Sequence, residues 1–196
     1  MEREPWIWIV CGANGAGKST LARQLVPEIL ELDHFVNADE IARGLSPFRP
    51  EAAAFGAGRV MIDRIRDLVR RRQSFAVETT LASRRYHHLA AALRETEWHV
   101  GVVFIHLRSP ALASRRVAIR VRRGGHDVPV EVVARRFHRG VANLPSLVEI
   151  ADRWLLLDNS GTVPRRIAEG HGDAAKVFDH RTFERIFEMD GDGKTA

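Results

Sequence analysis

The chain has a single cysteine, Cys11, so an internal disulfide is excluded. No cysteine–histidine cluster has the spacing of a zinc site. The apolar run after Pro5 is too short to span a bilayer. The N-terminus lacks the basic start, longer apolar stretch and small-residue cleavage site of a signal peptide. A reducing, cytoplasmic location is therefore expected, with no membrane partner. Lysine is also scarce: Lys18, Lys176 and Lys194 are the only ones, against 30 basic residues in all. There is no internal repeat, and no apolar stripe marks a dimer face.

What is present suits one α/β domain. The 196 residues can bury a core without a disulfide or structural metal, and 45% of them are hydrophobic. Basic residues outnumber the 25 acidic ones, giving a net charge of +5 and a pI near 10.3. The arginine bias fits a phosphorylated ligand, which a planar guanidinium grips by its fork. For the surplus as a whole, a GC-rich genome that encodes arginine by preference is the favoured reading. Nucleic acid would also account for the charge, but no aromatic-interleaved basic stripe accompanies it.

Along the chain, strand and helix patterns alternate. Strands are predicted at 6–11, 34–38, 74–77, 100–107 and 154–157. Helices are predicted from 19 to about 26, where Pro27 breaks the pattern, and over 51–72, 84–96, 110–123 and 131–143. Val60, Ile62, Ile65, Leu68 and Val69 are placed on one apolar helix face. Trp6 and Trp8 are read as core. Five β-α repeats imply a P-loop NTPase fold of the kinase type. That is a three-layer α/β sandwich with a mostly parallel five-stranded sheet and a helical lid. Residues 1–170 are assigned to this domain and 171–196 to a partly disordered extension, in which Phe183, Ile186 and Phe187 suggest one docking helix. Asp190-Gly-Asp192 lacks the remaining ligands of a calcium loop.

The segment Gly12-Ala13-Asn14-Gly15-Ala16-Gly17-Lys18-Ser19 fits G-x-x-x-x-G-K-[ST] in full and lies between an apolar strand and a helix. Its backbone N–H groups and the helix start are built for phosphate oxygens. Lys18 is expected at the β- and γ-phosphates, the Ser19 hydroxyl on Mg²⁺, and Thr20 beside them at the helix start. ATP or GTP with Mg²⁺ follows as the expected ligand.

Carboxylates mark the ends of the next strands. Asp39 either takes a proton from an acceptor hydroxyl or caps the following helix. Glu78, with Thr79 beside it, is a candidate for holding Mg²⁺ or orienting substrate, because an unpaired buried charge at a strand end is costly. Arg115, Arg116, Arg120, Arg122, Arg123, Arg135 and Arg136 flank Gly124-Gly125-His126-Asp127-Val128-Pro129. One or two of them would close over a triphosphate, and the rest would form a solvated face. His126 contacts substrate, caps a helix end or sits exposed. Asn159, in Asp158-Asn159-Ser160-Gly161, either forms a tight turn or flanks the adenine.

In combination these motifs resemble the zeta toxin family of P-loop kinases, in its short, single-domain branch. Asn37-Ala-Asp39-Glu40-Ile41-Ala42, Gly44-Leu45-Ser46-Pro47, Glu78-Thr79-Thr80-Leu81 and Arg135-Arg136-Phe137 add to the likeness, which spans about residues 6–170. The resemblance implies a fold similar to adenylate and shikimate kinases. It implies transfer of phosphate to a hydroxyl, as on UDP-N-acetylglucosamine in the best-known members. It points to Asp39 as base, Glu78 and Thr79 as substrate contacts, and Arg120 and Arg136 as phosphate-gripping arginines. It also implies an antitoxin as a candidate partner. The chain is shorter than the toxins of well-known toxin–antitoxin pairs. Two other functions remain open: a nucleotide-gated binding protein, and a nucleic-acid kinase.

Overall fold

Strand β1, Trp6–Gly12, occupies the centre of the sheet because Ile7, Ile9, Val10 and Cys11 are all fully buried and leave no polar face. It pairs in parallel with β3, Phe75–Thr79, on one side and β4, His99–His106, on the other. The computed structural model describes residues 4–125, 127–172 and 174–188. Beyond β3 lies the two-residue β2, Phe35–Val36, and beyond β4 lies β5, Arg153–Asp158. Chain order therefore reverses around β1, whose neighbours are β3 and β4. A crevice opens at the carboxyl ends of strands at such a reversal, and the loop after β1 falls into it.

The helices are α1 (Lys18–Gln24), α2 (Ala38–Leu45), α3 (Ala54–Arg70), α4 (Arg85–Arg94), α5 (Pro110–Arg122), α6 (Val130–Ala142), α7 (Leu144–Glu149) and α8 (His180–Glu188). Pro27 does break α1, by widening it rather than ending the coil. Leu25–Ile29 forms a π-type turn in which the Leu30 N–H reaches the Leu25 carbonyl at 2.9 Å. A proline lacks the N–H that an α-helical bond would need there. A 3₁₀ turn, Pro50–Ala53, leads into α3. The buried face of α3 is Ala57, Met61, Ile65 and Leu68, whereas Val60 is exposed.

Among the described residues the sheet has seven strands, not five. After β5 the chain turns back through β6, Arg165–His171, and β7, Ala174–Val177, both antiparallel. Only Ile167 and Ala168 of β6 are buried, and β7 is an exposed edge, so neither carries the alternation that announces a strand. The last element, α8, buries Ile186 and stacks Phe183 against Trp154 at 6.4 Å between ring centroids. The segment around Asp190 lies outside the described residues. Trp6 and Trp8 are half-buried rather than core. They stack on each other on one face of β1, and Trp8 lies across Gly101 of β4. No helix among the described residues is long and apolar enough to cross a membrane.

Candidate active site

The loop from Gly12 to Gly17 curls because its glycines adopt conformations other residues avoid: φ is 77° at Gly15 and 88° at Gly17. Both are also pressed against neighbours. A Cβ on Gly15 would meet the Ala113 carbonyl at 2.7 Å, and one on Gly17 would meet Asn159 Nδ2 at 2.7 Å. Ala13, Asn14 and Ala16 are buried beneath the loop, while Thr20 is exposed. The backbone N–H groups of Gly15, Gly17, Lys18, Ser19 and Thr20 have no hydrogen-bond acceptor among the described residues. A cluster of unsatisfied N–H donors at a helix start fits the oxygens of a nucleotide phosphate chain.

Lys18 is 7% exposed. Its ammonium donates to the Ala13 carbonyl at 3.0 Å and stands 3.7 Å from Glu78 Oε1. Burial pulls the Lys18 ammonium below the usual lysine range, with Glu78 and then Asp39 opposing and the Arg120 guanidinium adding to the depression. Burial likewise pushes the Glu78 carboxyl up, against the charge of Lys18 and a hydrogen bond from Ser19. Each charge is thus tolerated because the other is there. Cys11 lies below, its thiol pushed up by burial, and is chemically quiet.

Asp39 does not cap α2. The helix cap is Asn37, whose Oδ1 accepts from the N–H groups of Asp39 at 2.8 Å and Glu40 at 3.1 Å. Asp39 sits in the first turn. Its carboxylate is exposed, has no hydrogen-bond partner among the described residues, and is felt by both Lys18 and Glu78. Glu40, by contrast, is tied to Arg23 at 3.1 Å. Thr79 closes the turn after β3, its hydroxyl accepting from Leu81 N–H at 3.0 Å while Leu81 takes a φ of 56°.

Helix α6 bridges the two halves of the crevice. Arg136 Nη1 donates to Asn14 Oδ1 of the loop at 3.4 Å. One turn on, Gly140 lies so close to Thr80 that a Cβ would meet its carbonyl at 2.6 Å. The Asn143 amide then donates to the Leu81 carbonyl at 2.9 Å. Arg120 of α5 is half-buried, with Gly125 folded back against its side chain. Arg115, Arg122, Arg123 and Arg135 point outward and are exposed. Asn159 donates to the Ala16 carbonyl at 2.8 Å, which puts it on the loop itself. Arg116 pins the next turn through the Gly161 carbonyl at 3.1 Å. His126 lies outside the described residues.

Asn37, Gly140 and Asn143 are the contributors that motif reading missed. Only Asn37 left a signal, as a capping residue between a strand and a helix. Among the described residues no group of three or more His, Cys, Asp or Glu could hold a metal. The oxygen donors at hand are the Ser19 hydroxyl and the Glu78 carboxylate. This sparse, hard set fits Mg²⁺, which keeps its waters and binds through one or two protein oxygens together with substrate phosphates.

Comparison with known proteins gives the family and the fold. The chain belongs to a family described as an AAA domain (AAA_33), which matches residues 7–145. An uncharacterized protein of Haemophilus influenzae is 28% identical over 127 residues, covering 65% of this chain and 89% of that protein. A chain from the crystal structure of AvrRxo1-ORF1:-ORF2 with ATP superposes with a TM-score of 0.74 at 16% identity, covering 94% of this chain and 64% of that one. This protein thus spans about 64% of the length of the AvrRxo1 chain. A chain of the PezAT chromosomal toxin-antitoxin system of Streptococcus pneumoniae gives 0.63 at 13% identity, covering 100% and 81%. One from the Pnkp1/Rnl/Hen1 RNA repair complex gives 0.54 at 20% identity, covering 74% and 47%. At these identities the likeness is one of fold, a P-loop kinase-type α/β fold with a mostly parallel sheet flanked by helices.

Proposed function

We propose that this AAA-domain protein is a Mg²⁺-dependent phosphotransferase that moves the γ-phosphoryl group of ATP or GTP onto a hydroxyl of a small acceptor. The observation that carries the reading is one juxtaposition. A phosphate-type loop, the buried Lys18–Glu78 pair and the open Asp39 carboxylate meet at the reversal of the sheet.

The free N–H groups of Gly15 and of Gly17 to Thr20 bind the phosphate chain. Lys18 neutralises the charge that spreads over the transferring group, and Arg120 and Arg136 close from the α5–α6 side. Asp39 accepts the acceptor's hydroxyl proton as that oxygen attacks phosphorus and the bond to the leaving diphosphate breaks. Asn159 holds the loop from the nucleotide side. Ser19 and Glu78 are the residues that would hold Mg²⁺, which supplies positive charge to the phosphate oxygens when bound. Thr79 faces the acceptor side with Glu78.

The zeta-toxin-like fold makes a sugar nucleotide such as UDP-N-acetylglucosamine the first acceptor to try. The PezAT system and the AvrRxo1 complex make a small antitoxin-like partner the first protein to look for. The test is ³¹P NMR of the protein with Mg-ATP and a panel of sugar nucleotides. A new phosphomonoester signal that disappears in Asp39→Ala supports the reading. Full turnover by Asp39→Ala with an identified acceptor overturns it.

One observation favours a second reading, a nucleic-acid kinase. On α3 and at its C-cap, arginines lie beside carboxylates: Arg64, Arg70 and Arg71 share Asp67, and Arg66 pairs with Asp63. On α5 and α6, exposed Arg115, Arg122, Arg135 and Arg139 have no carboxylate partner among the described residues. Retention on single-stranded RNA at moderate salt would move the acceptor to a polynucleotide end. Release at low salt would dismiss it.

A further inference from the structure

A single buried amide joins Glu78, Ser19 and the helix start that carries Asp39. Asn37 is 4% exposed, at the end of β2. Its Oδ1 accepts from the Asp39 and Glu40 N–H groups. Its Nδ2 donates to Glu78 Oε2 at 2.6 Å and lies 3.5 Å from Ser19 Oγ. Chemistry fixes the orientation of this amide. A backbone N–H can only donate and an ionised carboxylate can only accept, so a flipped side chain would set donor against donor and acceptor against acceptor.

Capping a helix uses only half of this side chain. Serine, threonine and aspartate cap as well as asparagine does. Only an amide can accept from the helix with its oxygen while its nitrogen donates to a carboxylate. An aspartate would face Glu78 with a second carboxylate, and a serine is too short to bridge.

We propose that Asn37 is a positioning residue for phosphoryl transfer. Its amide ties the Glu78 carboxylate to the helix start that carries Asp39, and so fixes the two carboxylates relative to each other and to Lys18. This rests on the phosphotransferase reading above.

The test uses the full chain as wild type, Asn37→Ser, Asn37→Asp, Glu78→Gln and the exchange Asn37→Asp/Glu78→Gln. Thermal unfolding without nucleotide reads the bond itself. Asn37→Asp is expected to lower the midpoint. The exchange is expected to melt above both Asn37→Asp and Glu78→Gln alone, because donor and acceptor trade places, the cap is kept, and a carboxylate stays near Lys18 although Glu78 no longer pairs with it. An Asn37→Asp midpoint equal to wild type would overturn the proposal.

The second readout separates positioning from capping. Affinity for the fluorescent analogue mant-ATP is measured in Mg²⁺ and in EDTA, and kcat and KM are measured with Mg-ATP. Asn37→Ser keeps a cap, so its affinity in EDTA should stay within about twofold of wild type. Its kcat should fall by about ten- to a hundredfold, the loss expected for one hydrogen bond to a charged group. If Asn37 were only a cap, Asn37→Ser would turn over like wild type, and the proposal alone would fail. Wild-type protein that bound no mant-ATP would sink the phosphotransferase reading, and the proposal with it.

Discussion

Lys18 Nζ and Glu78 Oε1 stand 3.7 Å apart in a wall where their side chains are only 8% and 10% exposed. Burial works against both charges: it lowers the pKa of the lysine and raises that of the glutamate. Neither shift helps the fold near neutral pH. The pair reads as a functional arrangement maintained at the expense of stability.

Removing both charges should therefore separate stability from binding. Lys18→Met alone leaves Glu78 buried without its partner and should cost about 3–5 kcal/mol. Lys18→Met/Glu78→Gln should be neutral or stabilising by about 1–4 kcal/mol. At roughly 2–4 °C per kcal/mol for a chain of this size, calorimetry will resolve the difference. The double variant should bind no nucleotide by isothermal titration. A double variant less stable than Lys18→Met would contradict this account.

The cap of α2 is Asn37, so the proposed role of Asp39 as base can be tested apart from helix capping. Asp39→Ala should unfold within a degree or two of wild type and keep its affinity for Mg-nucleotide. Its turnover should drop by about 10²- to 10⁴-fold, the range for loss of a general base. Steady-state kinetics beside a thermal melt would show whether the loss lies in kcat.

The joint between α6 and the turn after β3 should tolerate no added carbon. In a helix, Gly140→Ala gains up to about 1 kcal/mol of propensity. The new Cβ would stand 2.6 Å from a backbone carbonyl that cannot swing away. Overpacking costs about 1–3 kcal/mol, so net destabilisation is expected, with a loss of kcat/KM as Thr79 and Glu78 shift. Gly58→Ala is the control. It lies within α3, a Cβ there meets nothing within 4 Å, and it should stabilise by up to about 1 kcal/mol in urea denaturation.

Acid sensitivity should trace in part to His106. This histidine is 5% exposed at the end of β4, and burial lowers its pKa from 6.5 to about 4, with Asp158 opposing. Between those values the unfolded chain binds a proton that the folded chain refuses. Stability is therefore complete above pH 6.5 and is lost as pH falls toward 4, by on the order of 3 kcal/mol. His106→Gln should flatten that part of the urea-derived stability profile. An unchanged slope between pH 6.5 and 4 would place the acid sensitivity elsewhere.

The amino-acid order alone determined the parts whose physics is local. Gly12 to Ser19 announce a phosphate loop because a glycine-rich turn between an apolar strand and a helix has few other uses. The unbroken apolar runs of β1 and β4 specify central parallel strands. Those two features, with Asp39 and Glu78 at strand ends, are enough to say where the proposed site lies. Tertiary structure decided what depends on neighbours distant in sequence. Asn37 reaches Glu78 across 41 residues and Arg136 reaches Asn14 across 122, and no local pattern encodes either contact. Which of Asp39 and Asn37 caps α2 depends on where the backbone passes from extended to helical, and that residue is Asn37. The strands β6 and β7 pair because β5 offers an edge, although their own residues bury little. Local signals fix the elements and the chemistry they carry. Packing fixes which groups meet, because hydrogen bonds across the fold are chosen by the whole chain at once.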